Sequence, residues 1–296
     1  MTKNNLQWNG RSYGGKFGNK CFEVLLRIGK TPAYLLMSVV ALFFLFFRRK
    51  QCAESSSYLS RCFDRKVGRF SILSYRHLFS FGMSIIDKYA YFSGADIECV
   101  DECKAVIQKA LERGKGAVVV VSHIGGWAIS GGKLAEYECP TGVVGVAQEH
   151  AYINDMMNKH RKRKEPQMIA SADDPISMIS AMAMLRSNGV VAIHGDRYVA
   201  GKFAVVKVLG SEVRLPVSPY ALASKSSAPV INVFCVREKL GKYRMFASEP
   251  LYLQNLRGDE LSVEMQRGAE FYAQNLNSVL EKYPLQWYNF YPFWQQ

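Results

Sequence analysis

The feature that most constrains the fold is the apolar run Ala117-Val118-Val119-Val120-Val121, which passes directly into Ser122-His123 and then into Gly125-Gly126. Four consecutive β-branched residues without a charge have the length and composition of a strand buried on both faces, as in the interior of a parallel sheet. Trp127 to Tyr137 suits a helix, so His123 is expected at a strand's carboxyl end, the edge at which open α/β sheets bind ligands. Glycines at 125 and 126 let the chain turn sharply, and amide N–H groups leading into a helix favour an anion. The stretch therefore offers a base at His123 and an oxyanion site at Gly125 and Gly126. Two other signatures fail nearby. A Walker loop needs glycine where Trp127 stands before Gly132-Lys133, and an esterase elbow around Ser130 needs glycine where Ala128 stands.

Short apolar runs recur at Val143–Val146, Met168–Ala170, Val190–Ile193 and Val230–Val236, each separated from the next by a helical or polar segment. This alternation predicts an α/β fold with a largely parallel central sheet flanked by helices. Helical patterns cover Tyr58–Phe92, Val100–Arg113 and Glu260–Tyr283. The chain is expected to divide into an N-terminal membrane-anchoring segment (1–50), a helical region (51–115) and an α/β core (116–296). His194-Gly195-Asp196-Arg197 follows one of the strands and should open on the same edge as His123. Arg197 suits a phosphate or sugar oxygen, with Asp196 orienting it or bonding a substrate hydroxyl; an internal Asp196–Arg197 pair is the alternative.

Ala33 to Phe47 is fifteen residues without a charge, bounded by Lys30 and by Arg48-Arg49-Lys50. As a helix it reaches about 22 Å, short of the ~30 Å hydrocarbon core of a bilayer. With basic residues at both ends, it fits a helix or hairpin embedded from one face better than a span; a buried core helix is the alternative. The balance of 38 Lys and Arg against 25 Asp and Glu gives +13, which calls for an anionic partner. Its densest part is Lys159 to Lys164. No nucleic-acid-binding signature accompanies that run, so a membrane surface, lipid phosphates or an acidic carrier are the expected partners and nucleic acid is not. Seven scattered cysteines without a C-x-x-C pair, and five histidines without a ligand cluster, give no metal site and no cofactor.

Ser122-His123-Ile124-Gly125-Gly126-Trp127 resembles the His-x4-acid block of the lysophospholipid acyltransferase superfamily, in the form found in bacterial lipid A biosynthesis (lauroyl/myristoyl) acyltransferases. The resemblance continues through Trp8-Asn9-Gly10-Arg11-Ser12, Ala33-Tyr34, His194-Gly195-Asp196-Arg197, Leu209-Gly210, Leu215-Pro216-Val217-Ser218-Pro219, Ala228-Pro229-Val230, Tyr283-Pro284-Leu285-Gln286-Trp287 and Phe293-Trp294. It implies a membrane-associated enzyme at the cytoplasmic face of a bacterial inner membrane. Such an enzyme moves a fatty acyl group from acyl carrier protein or acyl-CoA to a lipid or glycolipid acceptor, with His123 as general base. Relatives carry Glu or Asp five positions after the histidine, where this chain has Ala128. That departure predicts an impaired or inactive site. A serine hydrolase using Ser130 and a catalytically silent lipid- or carrier-binding protein are the competing readings.

Overall fold

The computed structural model describes residues 29–145, 166–169, 175–198 and 200–295. The basic run Lys159 to Lys164 and the opening block Trp8 to Ser12 lie outside these residues. Among the described residues three helices come first: α1 (Lys30–Phe47), α2 (Arg49–Cys62) and α3 (Ile72–Phe92). The expected single helix over Tyr58–Phe92 is two helices, because the chain breaks after Cys62, takes a left-handed turn at Asp64 (φ 45°) and restarts at Ser71. The Ser71 hydroxyl accepts the Ser74 N–H at 3.1 Å, a side-chain N-cap.

The remainder is organised by a sheet of seven strands: β1 (Glu98–Asp101), β2 (Ala117–Val121), β3 (Thr141–Val144), β4 (Gln167–Ile169), β5 (Val190–His194), β8 (Val230–Lys239) and β9 (Lys242–Ala247). Their spatial order is β1-β9-β8-β2-β5-β3-β4, and every neighbouring pair is parallel except the hairpin β8–β9. The largely parallel α/β architecture is thus as expected. A separate hairpin, β6 (Phe203–Val208) and β7 (Ser211–Pro216), was not foreseen, although β6 alternates strictly between exposed and buried residues. Its two-residue turn, Leu209-Gly210, has positive φ at both positions (48° and 77°), and Asn277 Oδ1 accepts the Leu209 N–H at 2.9 Å. The helices α4 (Lys104–Leu111), α5 (Trp127–Ala135), α6 (Pro175–Arg186), α7 (Ser218–Ser226) and α8 (Gly258–Lys282) cover the sheet. The helix expected from Val100 begins four residues later, since its first residues pair with β9 as β1. The sheet therefore starts inside the segment assigned to the helical region.

β2 lies at the centre and is buried throughout. Val118 and Val120 enter one core with α6, α7, α8 and the hairpin, and Ala117, Val119 and Val121 enter the other with α3, α4 and α5. This two-sided burial is why the run carries no polar alternation. It also fixes where β2 ends, and with it the position of His123.

α1 is buried along one side only. Ala33, Ala41 and Leu45 are buried, and Met37 reaches into the space left by Gly82 on α3, where a Cβ would stand 2.3 Å from its Cγ. Tyr34 donates to the buried Asp87 carboxylate, which also accepts the Tyr243 hydroxyl. The other side exposes Leu35, Val39, Leu42, Phe43, Phe46 and Phe47, with Phe43 53% and Phe47 68% accessible. Phe70 and Ile72 extend the same apolar character beyond the helix. Among the described residues no single helix is long and apolar enough to cross a membrane, and α1 and α2 meet at a 98° bend.

Candidate active site

β2 and β5 run side by side with Val121 opposite His194, so the segments that leave their carboxyl ends emerge together. His123 lies two residues beyond β2 and Asp196 two beyond β5. The His123 ring Nδ1 is 2.9 Å from Asp196 Oδ1, and the His123 backbone N–H donates to Oδ2 at 2.8 Å. The Trp287 indole N–H donates to the same Oδ2 at 2.9 Å, and the Tyr291 hydroxyl donates to the Asp196 backbone carbonyl at 2.8 Å. Asp196 is 1% exposed, yet its carboxyl is held well below the usual range: burial pushes it up, but the attraction and hydrogen bond of His123, with Arg197 and His194, outweigh that. An ionised carboxylate only accepts, so Nδ1 carries the proton and Nε2 keeps the lone pair. Burial is the main cause of a lowered His123 pKa, reinforced by Arg197 and opposed by Asp196. The ring is accordingly neutral at pH 7 and able to take a proton, and its side chain keeps 19% exposure.

The expectation that His123 lacks a carboxylate partner is therefore corrected: Asp196 supplies one from a different strand. Ala128 sits in the first turn of α5 and packs against the second core. Asp196 does not serve Arg197 or stand open to a substrate hydroxyl, since both its oxygens are taken within the protein. Arg197 is exposed beside it, its guanidinium 5.5 Å from the centre of the Tyr291 ring.

The glycine amides are also committed. Gly125 N–H donates to Gln286 O and Gly126 N–H to Cys235 O, both at 2.8 Å, so neither is left for an oxyanion. What the glycines supply is close approach. Gly125 has φ 50°, and a Cβ there would lie 2.3 Å from Cys235 O; one on Gly126 would meet the Tyr243 ring at 2.7 Å. The first turn of α5 begins at this point of the chain, and its Trp127 and Ala128 amides precede the helical ladder.

Ser130 does not assemble into a nucleophile–base pair: its buried hydroxyl donates to Trp127 O at 2.7 Å. Ser122 is likewise turned inward, bonded to the Tyr272 hydroxyl at 2.6 Å. His194 was expected at this edge with its block but without a role of its own; its ring stacks on His123 with centroids 4.2 Å apart and 27° between planes. Its Nε2 is buried without a hydrogen-bond partner, and burial, then the adjacent His123, depress its pKa to about 3. Trp127 flanks His123 at 6.0 Å and stacks on Phe81 at 6.3 Å. A cavity of 390 Å³ lined by Phe203, Val217, Met265 and Gln266 contains none of these groups.

The sequence model of the bacterial lipid A biosynthesis acyltransferases matches residues 97–296. Among curated proteins, none matches the chain. A crystal structure of the 1-acyl-sn-glycerophosphate acyltransferase PlsC from Thermotoga maritima aligns at 13% identity and a TM-score of 0.38, covering 85% of this chain and 98% of that one. That likeness is too loose to bear on the site.

Proposed function

Because the chain belongs to the bacterial lipid A biosynthesis acyltransferase family, and is on that ground an acyltransferase, we propose that His123 and Asp196 carry its transfer reaction. The observation that supports this most is the 2.9 Å contact from His123 Nδ1 to the buried Asp196 carboxylate. With Nδ1–H held there, Nε2 accepts the proton of an acceptor hydroxyl or amine as that atom attacks the carbonyl of an acyl thioester. Asp196 stabilises the imidazolium formed. The tetrahedral intermediate then collapses, the C–S bond breaks, and the imidazolium returns its proton to the departing thiolate. The first-turn amides of α5, in place of those of Gly125 and Gly126, are the donors for the oxyanion, where the helix dipole adds to them. Arg197, exposed and beside the pair, is suited to a phosphate on donor or acceptor.

In this reading the donor is an acyl carrier protein or acyl-CoA and the acceptor a lipid or glycolipid. The exposed apolar side of α1 lies in the membrane interface at the cytoplasmic face of the inner membrane, with basic residues at its end facing anionic headgroups. Because Asp196 fills the acid's place, Ala128 does not silence the enzyme. No covalent acyl-enzyme is formed, and this separates the proposal from a Ser130 hydrolase. With radiolabelled dodecanoyl-CoA and a total bacterial lipid extract in detergent micelles, label is expected to pass to lipid and never to the protein. Label trapped on the chain and abolished by Ser130→Ala would overturn direct transfer.

A further inference from the structure

Residues 284–295 form a strap across the site, tied by hydrogen bonds to the loop that carries His123. Ile124 and Trp287 form an isolated antiparallel bridge. Gly125 N–H donates to Gln286 O at 2.8 Å, and Tyr288 N–H donates to His123 O at 2.9 Å. The Gln286 side chain closes a two-way pair with Arg237 on β8, accepting its N–H at 2.7 Å and donating to its carbonyl at 2.8 Å. On the far side the strap is anchored to the N-terminal helices: the Tyr58 hydroxyl donates to Pro284 O at 2.6 Å, and His77 Nε2 donates to Trp287 O at 2.8 Å. His77 in turn accepts from the Ser55 hydroxyl at 2.8 Å. Trp287 itself is 1% exposed, its ring edge-on to Tyr58 at 5.2 Å and to Phe293 at 4.9 Å.

All these ties fix the indole in place, and its single polar atom points at one group, Asp196 Oδ2. We infer that Trp287 is a positioning residue for the transfer reaction: its N–H, held by the strap, locks the Asp196 carboxylate in the rotamer that orients His123. The inference rests on the His123–Asp196 reading above. Asp196 Oδ2 has two donors, the His123 backbone amide from the loop after β2 and Trp287 from the strap. Without the indole N–H a single bond from a loop would fix that oxygen, and the carboxylate would be free to swing about it and away from Nδ1. Trp287 is buried away from the surface a substrate can reach, so the consequence falls on the chemical step and not on binding.

The test compares Trp287→Phe, and Trp287 replaced by the isosteric benzothienylalanine, which exchanges N–H for sulfur and keeps the ring's shape. Transfer is followed from radiolabelled dodecanoyl-CoA to the bacterial lipid extract, in the native and Asp196→Asn backgrounds, with thermal unfolding measured on each. Loss of one hydrogen bond to a charged group predicts a fall in kcat of about 10- to 100-fold with KM unchanged. In the Asp196→Asn background the same replacement should cost nothing further, because the effect runs through that carboxylate. Equal losses in both backgrounds, or a normal kcat with benzothienylalanine, would show that Trp287 is packing alone and overturn the inference while leaving the His123–Asp196 pair intact. A normal rate for Asp196→Asn by itself would overturn both.

Discussion

Asp196→Asn is expected to lower kcat by about 10⁴, roughly 5.5 kcal/mol of barrier, with KM and the folded structure little changed. The reason lies in the donors around the side chain. Oδ2 accepts two N–H groups, from His123 and Trp287, and Oδ1 faces Nδ1. An asparagine has one oxygen, and placing its NH₂ against two buried donors would leave all three unsatisfied. The amide therefore turns its oxygen to the Oδ2 position and its NH₂ to Nδ1. His123 must then accept at Nδ1 and carry its proton on Nε2, which removes the lone pair that takes the acceptor's proton. The variant should still unfold cooperatively, since it buries no new charge. A wild-type rate in the lipid-extract assay would contradict the assignment.

The second large effect is expected at the membrane. Replacing Phe43 and Phe47 together by Asp should release the protein from vesicles containing anionic lipid in flotation experiments, lowering the partition coefficient by about 10²- to 10⁴-fold. Each phenyl ring is more than half exposed, and transfer of such a side chain into an apolar phase contributes about 1.5 to 3 kcal/mol. The two rings stack at 4.4 Å on the outward side of α1, whereas Ala33, Ala41 and Leu45 hold its inward side against the protein, so the fold should not suffer. High salt weakens headgroup attraction but not this apolar term, so salt alone should leave the native chain bound. Binding unchanged by the double substitution would refute the role of this surface.

The centre of the molecule was legible in the sequence because its physics is local. Ala117 to Val121 is buried on both faces, and its composition records that directly. The placing of His123 and of His194 to Arg197 at neighbouring strand ends follows from the same pattern. The edges were less legible. β1 is four residues of mixed polarity, Glu98 to Asp101, and pairs with β9, which is nearly 150 positions away and equally polar at its start. Such a strand is specified by its partner more than by its own residues.

The carboxylate partner of His123 was hidden in the sequence for a related reason. A motif six residues long directed attention to Ala128, within the helix after His123, although the carboxylate beside His123 comes from residue 196. Nothing in the spacing of His123 and Asp196 encodes their contact; it comes from the pairing of β2 with β5. Likewise the glycines were correctly seen as a tight turn, but the sequence does not reveal that Gln286 and Cys235 carbonyls occupy their amides. The C-terminal stretch is dense in aromatic residues, seven of the twelve from Tyr283 to Trp294. Its hydrogen bonds make it also the back wall of the site.

The central claim is that Asp196, and not a residue at 128, completes the pair with His123, and the transfer rate of Ala128→Glu beside the native chain tests it most directly. In the assay with dodecanoyl-CoA and the lipid extract, the native chain should transfer acyl groups at a rate abolished by His123→Ala. Ala128→Glu should bring no gain, because Nδ1 is already engaged at 2.9 Å and the new carboxylate has no ring nitrogen to orient. A native rate no higher than that of His123→Ala, rising by orders of magnitude in Ala128→Glu, would contradict the account.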